Sequence, residues 1–163
     1  MDYSTNYSGR QADLEYLQTV DKPRGTIPVS RTVGARQPKG VAGLQKMLQR
    51  YVVLLLTRIG DVYLKPEQGT RFIEQLIRGG GRSRGYLSTA FAFASVDVIS
   101  QMRHDDSQED LFGVIPDDEQ ISIARLLNYE VDVLSRTLSL RIYLESQAGP
   151  GAEYIVPVPV PRS

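Results

Sequence analysis

The apolar period of this chain changes once, and the change dictates a layered fold. From Val41 to about residue 104 apolar residues recur at helical spacing, whereas from Ile121 onward they alternate with polar ones. Ile121 and Ile123, then less regularly Leu126 and Leu127, begin a strand that continues through Tyr129, Val131 and Val133. Arg136-Thr137 turns the chain back into Leu138, Leu140, Ile142 and Leu144, a clean alternation, and Gly149-Pro150-Gly151 turns it again into residues 154–160. Three consecutive strands with tight connections make an antiparallel meander. Helices first and strands last is the order of an α+β domain, with the helices packed on the C-terminal meander.

The last strand, YIVPVPVP, carries its own constraint. Residues two apart send their N–H groups to the same side of a strand. Pro157, Pro159 and Pro161 therefore remove donors from one side only and leave Val156, Val158 and Val160 to pair on the other. The segment reads as a protected edge strand, or as a tail that leaves the sheet in polyproline II. In both readings it is not a central strand.

The helical half opens at Lys39-Gly40. Val41, Leu44, Leu48, Tyr51, Val52 and Leu55 form an apolar stripe, with Gln45, Lys46, Gln49 and Arg50 on the wet side. Residues 52–57 fit a continued helix by phase and a strand by their adjacent β-branched valines; we read a helix to about Thr57. Gly60-Asp61 then turns, and residues 62–64 read as a short extended piece. Residues 70–78 fit a helix ended by Gly79-Gly80-Gly81. Residues 88–103 fit a second, with Phe91, Val96, Ile99 and Met102 directed to the core. An acidic loop follows at 105–110, then a short element at 111–115, and Pro116-Asp117-Asp118 stops whatever precedes it.

Residues 1–40 lack sustained periodicity. They hold one helical hint at 12–20 and an extended stretch at 26–33. They read either as a loose terminus or as an arm that orders on a neighbouring subunit, with Tyr3, Tyr7, Leu14 and Tyr16 as anchors. The organisation expected is thus an N-terminal arm, 1–40, and one domain, 41–163.

Few chemistries fit the residues available. The chain has no cysteine and one histidine, His104, which excludes disulfides, thiolate sites and histidine pairs. Lysine plus arginine equals aspartate plus glutamate at 19 each, so bulk charge gives no reason to expect nucleic acid or a membrane as partner. The acids at 105–110 lack the glycine-centred spacing of a calcium loop. Gly79-Gly80-Gly81-Arg82-Ser83-Arg84-Gly85 lacks the Lys-Ser/Thr pair of a nucleotide loop and reads as a linker or a protein-contact loop. A glycosidase needs two carboxylates about 5–10 Å apart. Asp61, Glu67 and Glu119 are the candidates, and the sequence supplies no pocket around them. No cofactor is implied, and the chain is read as non-enzymatic.

Residues 54–69, LLLTRIGDVYLKPEQG, carry the most specific pattern: a leucine-rich helix end, a Thr-Arg-x-Gly turn, and an extended piece closing in Pro-Glu-x-Gly. This order, with the helix before it and the apolar segment after it, resembles the baseplate-wedge or sheath-initiator family of contractile phage tails. That family was once labelled lysozyme-like and has relatives in type VI secretion baseplates. The likeness spans roughly residues 41–160. It implies a structural protein of the virion, assembled in the host cytoplasm, that sits in the inner baseplate and templates the first sheath ring by strand addition (β-augmentation). The partners implied are the tail sheath protein, other baseplate wedge proteins and the tail tube or hub; a glycan hydrolase of the tail is the alternative. Arg58 would begin the segment that faces neighbours. The family's Glu-Pro-Arg-aliphatic hallmark appears here as Glu119-Gln120-Ile121, keeping the acid and the aliphatic residue but not the proline or arginine. For strand addition the expected partner surface is the side of 138–145, with Leu138, Leu140, Ile142 and Leu144, or that of 121–133.

Overall fold

A computed structural model describes residues 41–79, 83–109, 114–132, 134–149 and 151–159, together with the backbone of short strand segments nearer the N-terminus. Those segments are β1 (Asp13–Leu14), β2 (Leu17–Thr19), β3 (Ile27–Arg31) and β4 (Gly40–Val41). Three helices follow, α1 (Leu44–Leu56), α2 (Phe72–Gly79) and α3 (Arg84–Glu109). The strands β5 (Ile121–Asp132), β6 (Thr137–Ser146) and β7 (Ala152–Pro159) complete the chain. The fold is mixed α+β, with helices laid on an open antiparallel meander β5-β6-β7.

The ambiguous stretch after Tyr51 is helical. Continuous burial of Met47, Leu48, Tyr51, Val52, Leu54 and Leu55 outweighs the β preference of two valines. Thr57 closes α1, where both its N–H and its Oγ1 donate to the Val53 carbonyl, at 2.9 and 2.7 Å. The short extended piece expected at residues 62–64 is not formed: residues 63–64 are a turn, and 61–62 belong to neither a turn nor a strand. Helix α3 is longer than its apolar stripe suggests. Leu87, Ala90, Phe91, Ala94, Val98 and Met102 face the core, and the Phe91 ring meets Phe72 of α2 edge-on at 6.1 Å.

Two expectations for helix faces fail. Val96 is 66% exposed and not in the core, as is Phe93 beside it, because α3 turns Val98 and Phe91 inward instead. Lys46 and Gln49 are buried and not on a wet side. Helix α1 is enclosed by α2, α3 and β6, which leaves it little solvent face.

Strand β6 alternates as read. Leu138, Leu140, Ile142 and Leu144 point into the core beneath the helices, and Thr137, Ser139, Arg141 and Tyr143 point away. Strand β5 does not alternate cleanly, for a geometric reason. Its register against β6 skips Ser122 and Leu127, so each is an extra residue in a bulge. The skip at Leu127 moves the inward set from Ala124 and Leu126 to Tyr129 and Val131, opposite Leu140 and Leu138.

Strand β7 corrects the reading of the tail. It lies between β6 and β3, so it is a central strand. Its partner on the proline side is β3, parallel, at Ile27↔Tyr154 and Pro28↔Ile155, and that pairing stops two residues before Pro157. The prolines do remove donors from one side, and the neighbour there pairs only where no proline intervenes. Strand β2 continues the sheet beyond β3, and β1 pairs with β4 in a separate two-stranded ladder. The helical hint at 12–20 is therefore not realised: Asp13–Leu14 and Leu17–Thr19 are strands, while the extended reading of 26–33 matches β3.

Candidate functional site

Two features of the described residues present backbone or apolar groups outward in an organised way. One is the outer edge of β5. The other is the loop of residues 57–70.

Strand β5 ends the sheet, and its outer side pairs with no other described strand. The direction of its N–H groups follows from the prolines two strands away. Pro157 faces Ser139 and Pro159 faces Thr137, and neither proline has an N–H to exchange. Those must be the pairs without mutual hydrogen bonds, so Leu138, Leu140, Ile142 and Leu144 exchange bonds with β7. The remaining β6 residues, Thr137, Ser139, Arg141 and Tyr143, then exchange bonds with Asp132, Glu130, Asn128 and Arg125 of β5. By alternation Ala124, Leu126, Tyr129 and Val131 turn their N–H and C=O groups to the open side. After the Leu127 bulge the edge runs uninterrupted over residues 128–132, where Val131 is half exposed. Asp132 fixes the following turn. Its carboxylate accepts from the Leu134 and Ser135 N–H groups and from the Ser135 hydroxyl, and that hydroxyl above all holds its pKa below the ordinary carboxylate value.

The start of β5 is tied to the helices by Glu119. Its Oε1 accepts from the Gly43 N–H at 2.9 Å, and its Oε2 lies 2.9 Å from Lys46 Nζ, with both side chains almost wholly buried. Helix α1 has no acid in its first turn and no capping side chain of its own, so a carboxylate from 76 residues away supplies both. Lys46 is the cation paired with Glu119, and the neighbouring Gln120 donates to the Ile115 carbonyl at 2.9 Å. Nearby, Arg50 donates to Asp106 at 2.7 Å, joining α1 to α3.

The loop 57–70 closes on itself. The Thr70 N–H donates to the Thr57 carbonyl at 2.8 Å, the Thr70 Oγ1 to the Leu55 carbonyl at 2.8 Å, and the Gly60 N–H to the Pro66 carbonyl at 2.8 Å. Gly60 and Gly69 both have positive φ, 93° and 106°. Arg58 grips Asp61 through Nε and Nη2 at 2.9 and 3.2 Å, and that contact raises the guanidinium pKa.

The residues expected to meet a partner are thereby sorted. Leu138, Leu140, Ile142 and Leu144 are core residues, on a strand flanked on both sides, so no incoming strand can pair there. Glu119 is enclosed by Gly43 and Lys46 and holds the domain together, with no surface for a neighbour. Arg58 is exposed but engaged with Asp61. Tyr3, Tyr7 and Tyr16 lie outside the described residues, as do Arg82 and 110–113, and of Leu14 only the backbone is described, opposite Gly40. The acids weighed for hydrolysis are dispersed: Asp61 on Arg58, Glu119 on Lys46, and Glu67 at a groove beside α3. The sequence reading offered the side of 121–133 as one of two edges but did not say which of its residues face outward, because the Leu127 bulge conceals their parity. Among the described residues no group of three or more histidine, cysteine or acidic side chains is placed to hold a metal ion, and no helix is long and apolar enough to cross a membrane. Comparison with known proteins finds no matching family model, no matching curated protein and no matching solved structure.

Proposed function

We propose that this chain is a structural, non-enzymatic subunit of a contractile-tail baseplate that templates the first sheath ring by accepting a donated strand on the outer edge of β5. The observation that carries the reading is that open edge: Tyr129 and Val131 turn backbone donors and acceptors outward on the uninterrupted stretch of the strand. Such an edge takes an extended segment through main-chain hydrogen bonds. The tail assignment is supported by the pattern of residues 54–69 in the sequence. The sheath is then the strand donor, wedge proteins and the tube or hub are the other neighbours, and the particle is the place of action. Around the strands β2 and β3 that join the sheet of the domain, residues 1–40 engage a neighbouring subunit, with Tyr3, Tyr7, Leu14 and Tyr16 as large apolar anchors.

A proline at Val131 removes a donor from the open side and leaves the β5-β6 ladder intact. Purified sheath subunits mixed with tail tube and the wild-type chain should polymerise from the baseplate end, and Val131→Pro should lower the rate of nucleation at least about tenfold. Unchanged nucleation by a folded Val131→Pro chain would sink the strand-addition reading.

A further inference from the structure

The outward-facing set on β5 is symmetric. Ala124 and Leu126 precede the Leu127–Asn128 step, and Tyr129 and Val131 follow it at the same spacings in reverse. We propose that two copies of this chain pair antiparallel along β5, about a two-fold axis through that step. The pair holds the edge closed until a donor strand displaces one copy. Self-pairing stands on β5 alone; the displacement step rests on the baseplate reading.

An antiparallel ladder sets residues with outward N–H and C=O groups opposite one another. On the symmetric register Ala124 faces Val131 of the second copy, Leu126 faces its Tyr129, and the axis repeats both pairs. No other antiparallel register of β5 on itself pairs all four residues, because the bulge breaks the alternation between Leu126 and Tyr129. Two residues separate Leu126 from Tyr129 on both strands, so the bulges match across the axis. None of the four is a proline, and each supplies a donor.

The side chains agree with the same register. Between the bonded pairs, Arg125 lies opposite Glu130 of the second copy, at a non-bonded position where side chains come closest. Within one copy Arg125 faces Tyr143 and Glu130 faces Ser139, so both stand on the far face of the sheet. Both are exposed, and neither is in an ion pair with another described residue. The axis makes this opposite-charge contact twice. On the helix side, Ala124, Leu126 and Tyr129 are only partly buried, whereas Leu140, Ile142, Val156 and Val158 of the inner strands are enclosed. Pairing extends that apolar layer across the axis. It also brings α3, the helix packed on β5, next to its copy, and the exposed Phe93 and Val96 lie in the sector of α3 that α1, α2 and β5 leave uncovered. A single-strand isologous contact is small and therefore weak. Dilute chain is a monomer with a bare edge, and concentrated chain is paired.

Sedimentation velocity on the full chain, from about 1 μM to about 1 mM, reads this equilibrium. Wild-type chain should pass from monomer to dimer across that range. Arg125→Glu and Glu130→Arg each set like charges opposite one another and should weaken the dimer at least about tenfold, with the melting temperature kept. An equimolar mixture of the two variants should regain the dimer, because their charges are complementary across the axis. A wild-type chain monomeric throughout, single variants that dimerise as wild type does, or a mixture no better than its components would overturn self-pairing, and the strand-addition reading would still stand. Purified sheath subunits should dissociate the wild-type dimer. A dimer that they leave intact keeps the self-pairing but removes the displacement step, and with it the baseplate reading.

Discussion

Glu119 shows how much one residue can organise. It caps α1, neutralises a buried lysine and fixes the entry to the sheet, all from one carboxylate. Glutamine at this position keeps a carbonyl for the Gly43 N–H but removes the anion beside Lys46. Breaking a buried pair in this way costs about 3–5 kcal/mol, so Glu119→Gln should shift the urea midpoint accordingly. Adding Lys46→Met should recover part of that loss. Two buried phenols give a second prediction at this scale. Burial raises the pKa of Tyr51, against an opposing hydrogen bond with Ser95, and burial pushes Tyr154 up to about 12. A phenol with a raised folded pKa contributes stability that is complete below its unfolded value near 10. That contribution falls as pH climbs from 10 through 12. Urea midpoints should therefore hold to about pH 10 and then drop, and Tyr154→Phe should flatten the decline. Individual residues were unevenly legible in the sequence. The acid at 119 could be singled out, but its partner could not, because Lys46 reads as one of four polar residues on a wet helix face.

At the scale of elements, strand β6 was legible to the residue because its alternation is unbroken, and α1 and α2 were close in extent. Strand β5 was legible as a strand but not in its facing, since one extra residue at Leu127 reverses the parity of everything after it. The proline-rich β7 was legible in its one-sidedness but not in its position. Its proline-free beginning is long enough for β3 to pair at Tyr154 and Ile155. The same donor geometry yields a contrast between neighbouring positions. Glu130 sends its N–H to Ser139 inside the ladder, whereas Val131 sends its own outward. Glu130→Pro should destabilise the chain by about 3 kcal/mol or more, and Val131→Pro by about 1 kcal/mol or less, in paired urea titrations.

Among the described residues the helices cover one face of the sheet, which leaves the far face and the outer edge of β5 uncovered by them. The far face is polar and laced by contacts such as Arg141 with Glu153 at 2.6 Å, and it gives an incoming strand nothing to pair with. The edge at β2 belongs to the N-terminal segments and that at β5 to the domain core. Strand addition at β5 is thus the claim on which the functional account turns. Residue-resolved hydrogen exchange, on the free chain and on the chain bound to sheath subunits, tests it most directly. In the free chain the amides of Tyr129 and Val131 should exchange quickly while those of Asn128 and Glu130 are protected. On sheath binding Tyr129 and Val131 should slow by at least about a hundredfold. If they exchange equally fast in the two states while the sheath is bound, the donated strand does not lie on β5 and the account is wrong.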